Sequence, residues 1–235
     1  MEQQYQYITL QTGSLPLAPN GKLDFSIKHK CSSLLLWPDK EEPSSKNTIL
    51  TDPCFTPKGL EIAQEKLESY QFPLDDIQYI FITHGHRDHL PTFILDKAKV
   101  KFIKDEPTPL SGITKVPCVG HAPDLESLTF YSNKSESIWI VGDAILNMEW
   151  LKAWGYYWPN RYSSKDIIKT WKSVAKIVAN ADIVIPGHGE AITITARLIQ
   201  ELIDLFPFAK HADKCFSVVP ILKKRLEVLK RQEQV

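Results

Sequence analysis

The sequence lacks a net charge. Its 28 basic residues are balanced by 28 acidic ones, so there is no overall electrostatic footprint for a nucleic-acid partner, and a nuclease is disfavoured unless a local basic patch exists. No run approaches the roughly eighteen consecutive apolar residues that a membrane-crossing helix needs. The start, MEQQYQYITLQTG, has no basic stretch leading into an apolar one, and so predicts no signal peptide. The four cysteines, Cys31, Cys54, Cys118 and Cys215, are widely spaced and form no CxxC pair. Reduced thiols in a cytoplasmic protein are the expectation. Low-complexity segments and interdomain linkers are also missing.

What is present is an ordinary globular composition. The hydrophobic fraction is 43% over 235 residues, enough chain to bury a sizeable core without metal or disulfide staples. Any metal would therefore serve function rather than folding. Short strand-like runs recur: SSLLLW (32–37), TILTD (48–52), QYIFIT (78–83), KVKFI (99–103), TKVPCV (114–119), SLTFYS (127–132), SIWIVGD (137–143) and ADIVIPG (181–187). They are rich in β-branched and aromatic residues and bounded by turn formers. PDKEEPSSKN (38–47) reads as a polar hairpin connection between the first two.

Helical patterns fall between some of these runs. Thr56 is placed to cap a helix that Pro57 begins, with Ala63, Leu67 and Tyr70 on one face. Behind a Ser163/Ser164 cap, Ile167, Trp171, Val174 and Val178 share a face. Ala196, Ile199, Leu202 and Ile203 do so within 193–206, and 217–232 reads as a last basic helix. Its KKRLEVLKR stretch (223–231) predicts a solvated amphipathic face, with Leu226, Val228 and Leu229 as the apolar side. The expected class is α/β.

Five of the seven histidines cluster at the ends of strand-like runs. TILTD ends at Asp52, QYIFITHGHRDH in His84, His86, Asp88 and His89, TKVPCVGH at His121, SIWIVGD at Asp143 and ADIVIPGH at His188. Residues two apart on an extended segment point the same way, so His84 and His86 suit one metal centre. Asp88 and His89 lie past the bend and face a neighbouring point. Imidazole mixed with carboxylate suits Zn²⁺ or Fe²⁺ rather than Ca²⁺ or Mg²⁺. His29 and His211 fall outside the pattern and read as surface residues.

The aromatic segment EWLKAWGYYWPNRY (149–162) has two readings. As a lip over the metals it would contact substrate through Tyr157, Trp158 and Arg161. Alternatively Trp150 and Trp154, four apart, are the apolar face of a short helix in the core. Cys54, two residues past Asp52, reads as a buried thiol rather than a ligand.

The series THGHRDH, VGH at 119–121, VGD at 141–143 and PGHG at 186–189, with Asp52 before it, resembles the motif order of the metallo-β-lactamase superfamily over about residues 30 to 190. The resemblance implies an αβ/βα four-layer sandwich: two mixed β-sheets packed face to face, with helices outside and the metal site at one edge. It is expected as one domain, 1–235, with 192–235 a C-terminal helical extension packed on it. By the same resemblance His84, His86 and His121 would bind a first metal, and Asp88, His89 and His188 a second. Asp143 would bridge them and Asp52 would organise the site by hydrogen bonds.

Two departures stand beside the site: Leu90-Pro91-Thr92 follows the HxHxDH signature where relatives have Gly-Gly, and Ala122-Pro123-Asp124 follows the third motif. Both bear on which substrate is taken, and the short gap from His89 to His121 resembles the compact branch of the superfamily. The expected activity is hydrolysis of a small ester, thioester or lactone by a hydroxide shared between two divalent ions, most naturally Zn²⁺ with Fe or Mn as alternatives, and with Asp88 managing protons. A phosphodiesterase or ribonuclease and an iron-dependent sulfur dioxygenase are the alternatives. The expected partner is a small-molecule substrate, with no membrane.

Overall fold

The computed structural model describes residues 3–93, 99–104 and 107–233. Among these described residues ten strands run β1 (Gln4–Gln11), β2 (Ser33–Pro38), β3 (Ile49–Thr51), β4 (Tyr79–Phe81), β5 (Lys101–Phe102), β6 (Thr114–Pro117), β7 (Glu126–Ser132), β8 (Ser137–Gly142), β9 (Ile183–Pro186) and β10 (Ile192–Thr193). Five α-helices accompany them: α1 (Pro57–Glu68), α2 (Met148–Lys152), α3 (Ser164–Asn180), α4 (Ala196–Leu205) and α5 (Val218–Gln232). The eight strand-like runs each hold a strand. β1 and β10 are additional, and β1 proves central.

The strands hydrogen-bond in the order β10-β9-β8-β7-β1-β2-β3-β4-β5, with β6 on β7. The two expected sheets are thus joined along one edge. The join is brief: the start of β1 pairs in parallel with β7 only at Gln4↔Tyr131 and Tyr5↔Ser132, while the rest of β1 pairs antiparallel with β2.

Strand alternation shows that the two halves face each other, because neighbouring side chains point to opposite sides. Leu34 and Leu36 of β2, Ile49 of β3 and Phe81 of β4 share one buried cluster with Leu128 and Phe130 of β7, Ile138 and Ile140 of β8, and Ile185 of β9. The residues between them point outward. Leu35, Trp37, Leu50 and Ile80 meet Ala63 and Leu67 of α1. Trp139, Val141 and Val184 meet α3, α4 and α5 through Trp171, Val174, Val178, Ile199, Leu202 and Leu222. Helix, sheet, sheet and helices form four layers, the expected αβ/βα arrangement.

Local signals set the helix starts. The Thr56 side chain accepts from the Gly59 amide, with Pro57 opening the helix. Ser163 and Asp166 form a reciprocal capping box on α3, an arrangement worth about 1 kcal/mol. Tyr70 lies beyond the end of α1 and packs edge-on against Trp37, ring centroids 5.3 Å apart. On α5 Leu226 is buried, Leu229 packs against the core and Val228 is exposed, while Arg225 pairs with Asp182 at 2.6 Å. No helix among the described residues is long and apolar enough to cross a membrane.

Candidate metal centre

Parallel pairing explains why the strand ends meet. β3 and β4 run parallel with Thr51 opposite Phe81, and β8 and β9 run parallel with Gly142 opposite Pro186. Residues just past each pair therefore emerge at one rim. Asp52 comes out beside Thr83-His84, and Asp143 beside Gly187-His188. Because the two halves face each other, these pairs lie across a single pocket. His121 arrives from the segment after β6.

The backbone at this rim is tight. Asp52 has φ of +40° and Gly142 +48°. Residues other than glycine, asparagine and aspartate rarely take this region. At Gly187 an added Cβ would collide with Asp143 Oδ1, so glycine is required for the β9 end to pass beneath that carboxylate.

Two groups of side chains converge on two points. His84, His86, His121 and Asp143 form one, and Asp88, His89, Asp143 and His188 the other, with the donor atoms of each group within 4.8 Å of one another. In the first, His86 Nδ1 lies 2.9 Å from His84 Nε2 and 3.0 Å from His121 Nε2. Asp143 Oδ2 lies 3.1 Å from His121 Nε2 and 3.8 Å from His84 Nε2. In the second, Asp143 Oδ1 lies 3.1 Å from His188 Nε2 and 3.2 Å from His89 Nε2, and Asp88 Oδ2 is 3.5 Å from His188 Nε2. Donors about 2.1 Å from a tetrahedral Zn²⁺ stand about 3.4 Å apart, so these separations straddle the edge of such a shell.

The hydrogen bonds behind the imidazoles decide what they present to the pocket. His188 Nδ1 lies 2.8 Å from the Lys30 carbonyl, which can only accept, so that nitrogen carries the proton. His89 Nδ1 lies 3.0 Å from Asp52 Oδ2 and donates likewise. In the neutral rings both Nε2 atoms are then lone pairs aimed at Asp143 Oδ1, another acceptor. His89 Nε2 and Asp143 Oδ1 are buried with no hydrogen-bond partner. Acceptors facing acceptors in a buried site require protons or a cation between them. The donor set, nitrogen with carboxylate oxygen in two groups sharing one aspartate, fits a pair of divalent metals.

Electrostatics carry the same tension. Burial drives the His84 imidazole down to about 2, only partly offset by Asp143. It holds His121 at about 4 for the same reason. Burial also opposes charge on His89 and His188, but the carboxylate of Asp143, joined for His89 by Asp52, outweighs it and raises both. Asp143 is buried, which opposes its charge, yet the surrounding imidazoles hold it well below the usual carboxylate range. The Asp88 carboxyl is likewise opposed by burial but lowered by the hydrogen bond from His29 and by His89.

Asp52 accepts three hydrogen bonds: from the Thr83 amide and hydroxyl, both 2.8 Å, and from His89. Several contributors escape sequence reading. Thr83 Oγ1 also sits 3.2 Å from His84 Nδ1, and the Tyr162 hydroxyl 2.9 Å from His121 Nδ1. Tyr162 was visible in the aromatic segment, but nothing distinguished it there. The Lys30 carbonyl is backbone and carries no sequence signal. His29 is exposed, as expected, and from the surface it places Nε2 3.0 Å from Asp88 Oδ2. His211 lies in a left-handed turn away from the site.

A cavity of about 240 Å³ opens onto the cluster, lined by Leu15, His29, Arg87, Leu146, Tyr157 and Asn160 beside the metal-capable residues. Tyr157 thus faces it, whereas Trp158, 48% exposed, and Arg161 are not among its lining residues. Trp150 and Trp154 are buried, Trp150 against Leu15 and Leu146 and Trp154 in the helical core. Core burial is therefore right for those two. Cys54 lies outside both groups, its sulfur 3.7 Å from the Arg87 carbonyl.

Neither a scan against protein-family models nor a search of curated proteins finds a match. Solved structures do match. A Thermotoga maritima protein described as a metallo-β-lactamase is 16% identical, with a TM-score of 0.54 over 81% of this chain and 99% of its own. A Staphylococcus aureus protein described as a metal-dependent hydrolase is 11% identical, TM-score 0.55, over 82% and 92%. The hydrolase AbOPH of the β-lactamase superfamily is 13% identical, TM-score 0.51, over 80% and 90%. At such identities the likeness establishes architecture: the chain has the metallo-β-lactamase fold, with its candidate metal centre at the shared rim of the two sheet halves.

Proposed function

We propose that this protein is a hydrolase that uses two divalent metal ions, with Zn²⁺ best suited to the donors, on a small ester, thioester or lactone. The observation that carries this reading is the pair of ligand groups meeting at Asp143, with buried lone pairs turned toward each other at the floor of a cavity. His84, His86 and His121 would hold one ion, Asp88, His89 and His188 the other, and Asp143 both. When bound, the ions would supply Lewis acidity toward a carbonyl oxygen and lower the pKa of water.

The chain's own residues do the rest. Asp52 and the Lys30 carbonyl fix the tautomers of His89 and His188, so that Nε2 faces the pocket. Thr83 and Tyr162 brace His84 and His121. Asp88, its side chain 34% exposed and lining the cavity, is the carboxylate placed to orient a water and pass its proton. Leu15, Leu146 and Tyr157 give the cavity apolar walls, and its volume of about 240 Å³ favours a small substrate over a polymer. The hydrolase descriptions of the Staphylococcus aureus protein and of AbOPH support the reading.

Elemental analysis of the purified protein, paired with a panel of esters, thioesters, lactones and a phosphodiester, tests it. Two zincs per chain and turnover of a carboxylic ester, thioester or lactone are expected. His86→Ala and Asp143→Ala should each lose activity and bound metal, and full retention of both in either variant would remove the proposal. One iron and no hydrolysis would overturn it in favour of redox chemistry.

A further inference from the structure

The metal-capable residues follow the strand ends, but two contacts to the second group come from elsewhere. Residues 29 and 30 lie in the long connection between β1 and β2, outside every motif discussed above. This segment is laced into the rim. The Lys30 amide donates to the Ser14 carbonyl at 2.9 Å, and the Lys30 carbonyl accepts from Ser14 at 2.8 Å as well as from His188 Nδ1. Two residues on, the Ser32 amide donates to the Gly187 carbonyl at 2.7 Å. The backbone that follows His29 is thus held beside the His188 strand end.

From that backbone the His29 ring packs edge-on against His188, centroids 4.7 Å apart, and its Nε2 reaches Asp88 Oδ2 at 3.0 Å. Asp88 needs such a partner. Its side chain is 34% exposed, whereas that of Asp143 is 5% exposed. A solvated carboxylate samples several rotamers, and fixing it costs entropy that a pre-placed donor removes in advance.

We infer that the His29-Lys30 segment is a clasp that builds the second metal position, with His29 as the positioning residue that aims Asp88 and the Lys30 carbonyl setting the tautomer of His188. The inference rests on the two-metal reading proposed above. It makes the two positions unequal. The first is braced by Thr83 and by Tyr162, whereas the second, besides the bond from His89 to Asp52, depends on a connection outside the strand-end motifs. His29 has no contact with the first group among those described, so its loss should weaken one binding step only.

The test uses full-length protein stripped of metal and titrated with Co²⁺ and with Zn²⁺, followed by calorimetry and, for Co²⁺, by its visible absorption. In the wild type two steps are expected. In His29→Ala the first step should be unchanged and the second weakened roughly 10- to 100-fold, the usual effect of removing a hydrogen-bond partner of a ligand. His29→Gln, whose amide can still donate to Asp88, should restore most of the loss. His29→Leu, of similar bulk but with no donor, should behave as His29→Ala, whereas a residue that merely packed would be rescued by leucine as well as by glutamine. His29 is 40% exposed on its side chain, so the metal-free variants should melt as the wild type does. A second step in His29→Ala within twofold of wild type, or both steps weakened equally, would overturn the clasp and leave the two-metal reading standing. A wild type that shows no second step would overturn both.

Discussion

Substituting Asp52 by asparagine tests how a side chain that holds no metal controls one that would. The two are nearly the same size, and asparagine tolerates the φ of +40° found there, so backbone strain is unchanged. The hydrogen bonds are not. Asp52 Oδ1 accepts from the Thr83 amide, while Oδ2 accepts from the Thr83 hydroxyl and from His89 Nδ1. An asparagine that keeps its oxygen toward the amide turns its NH₂ toward His89, donor against donor. The flipped amide instead sets NH₂ against the Thr83 N–H, equally buried. The cheaper escape is for His89 to move its proton to Nε2, which blocks the nitrogen facing Asp143.

A hydrogen bond to a charged group contributes about 1.5 to 3 kcal/mol, which corresponds to a loss of about 10- to 150-fold in affinity for the second ion. Calorimetric titration of the metal-free Asp52→Asn protein reads that loss directly, and nitrogen-detected NMR of the imidazoles reads the tautomer. A second-ion affinity within twofold of wild type, with His89 still protonated on Nδ1, would refute the reasoning.

Tyr157→Ala should raise KM several-fold with little change in melting, since Tyr157 lines the cavity, whereas Trp158→Ala should leave KM near wild type because its ring is not on that wall. The reverse ranking in steady-state kinetics would show that substrate contacts run along the outer lip. In metal-free protein at pH 6, the imidazoles of His84 and His121, held at about 2 and about 4, should be neutral, while His89 and His188, both raised, should be protonated. An NMR titration in which all four protonate together near 6.5 would contradict the charge pattern. Gly187→Ala should destabilise the fold by roughly 1 to 3 kcal/mol through overpacking against Asp143 and reduce bound metal, as urea unfolding and elemental analysis would record.

Much of the architecture was present in the chain as pattern. The strand-like runs and the caps at Thr56 and Ser163 are local signals, because period, branching and capping act between near neighbours. The cluster His84 to His89 was visible for the same reason. Asp143 and His188 stood out by position, each directly after an apolar run.

Only the tertiary structure decided how these pieces meet. β1 begins Gln-Tyr-Gln-Tyr, an alternation that marks a strand but not its place, and it joins the two halves, a role set by partners more than a hundred residues away. Within the aromatic segment, Trp150 and Trp154 went to the core and Tyr157 to the cavity, a division made by packing against Leu15, Leu146 and Phe206 rather than by residue type. His29 carries no neighbouring motif. Its place beside Asp88 comes from backbone hydrogen bonds between residues 30–32 and both Ser14 and Gly187. Chemistry of the side chains is written along the chain, but which lone pairs face each other is settled by long-range pairing, and that pairing makes the pocket a candidate place for cations.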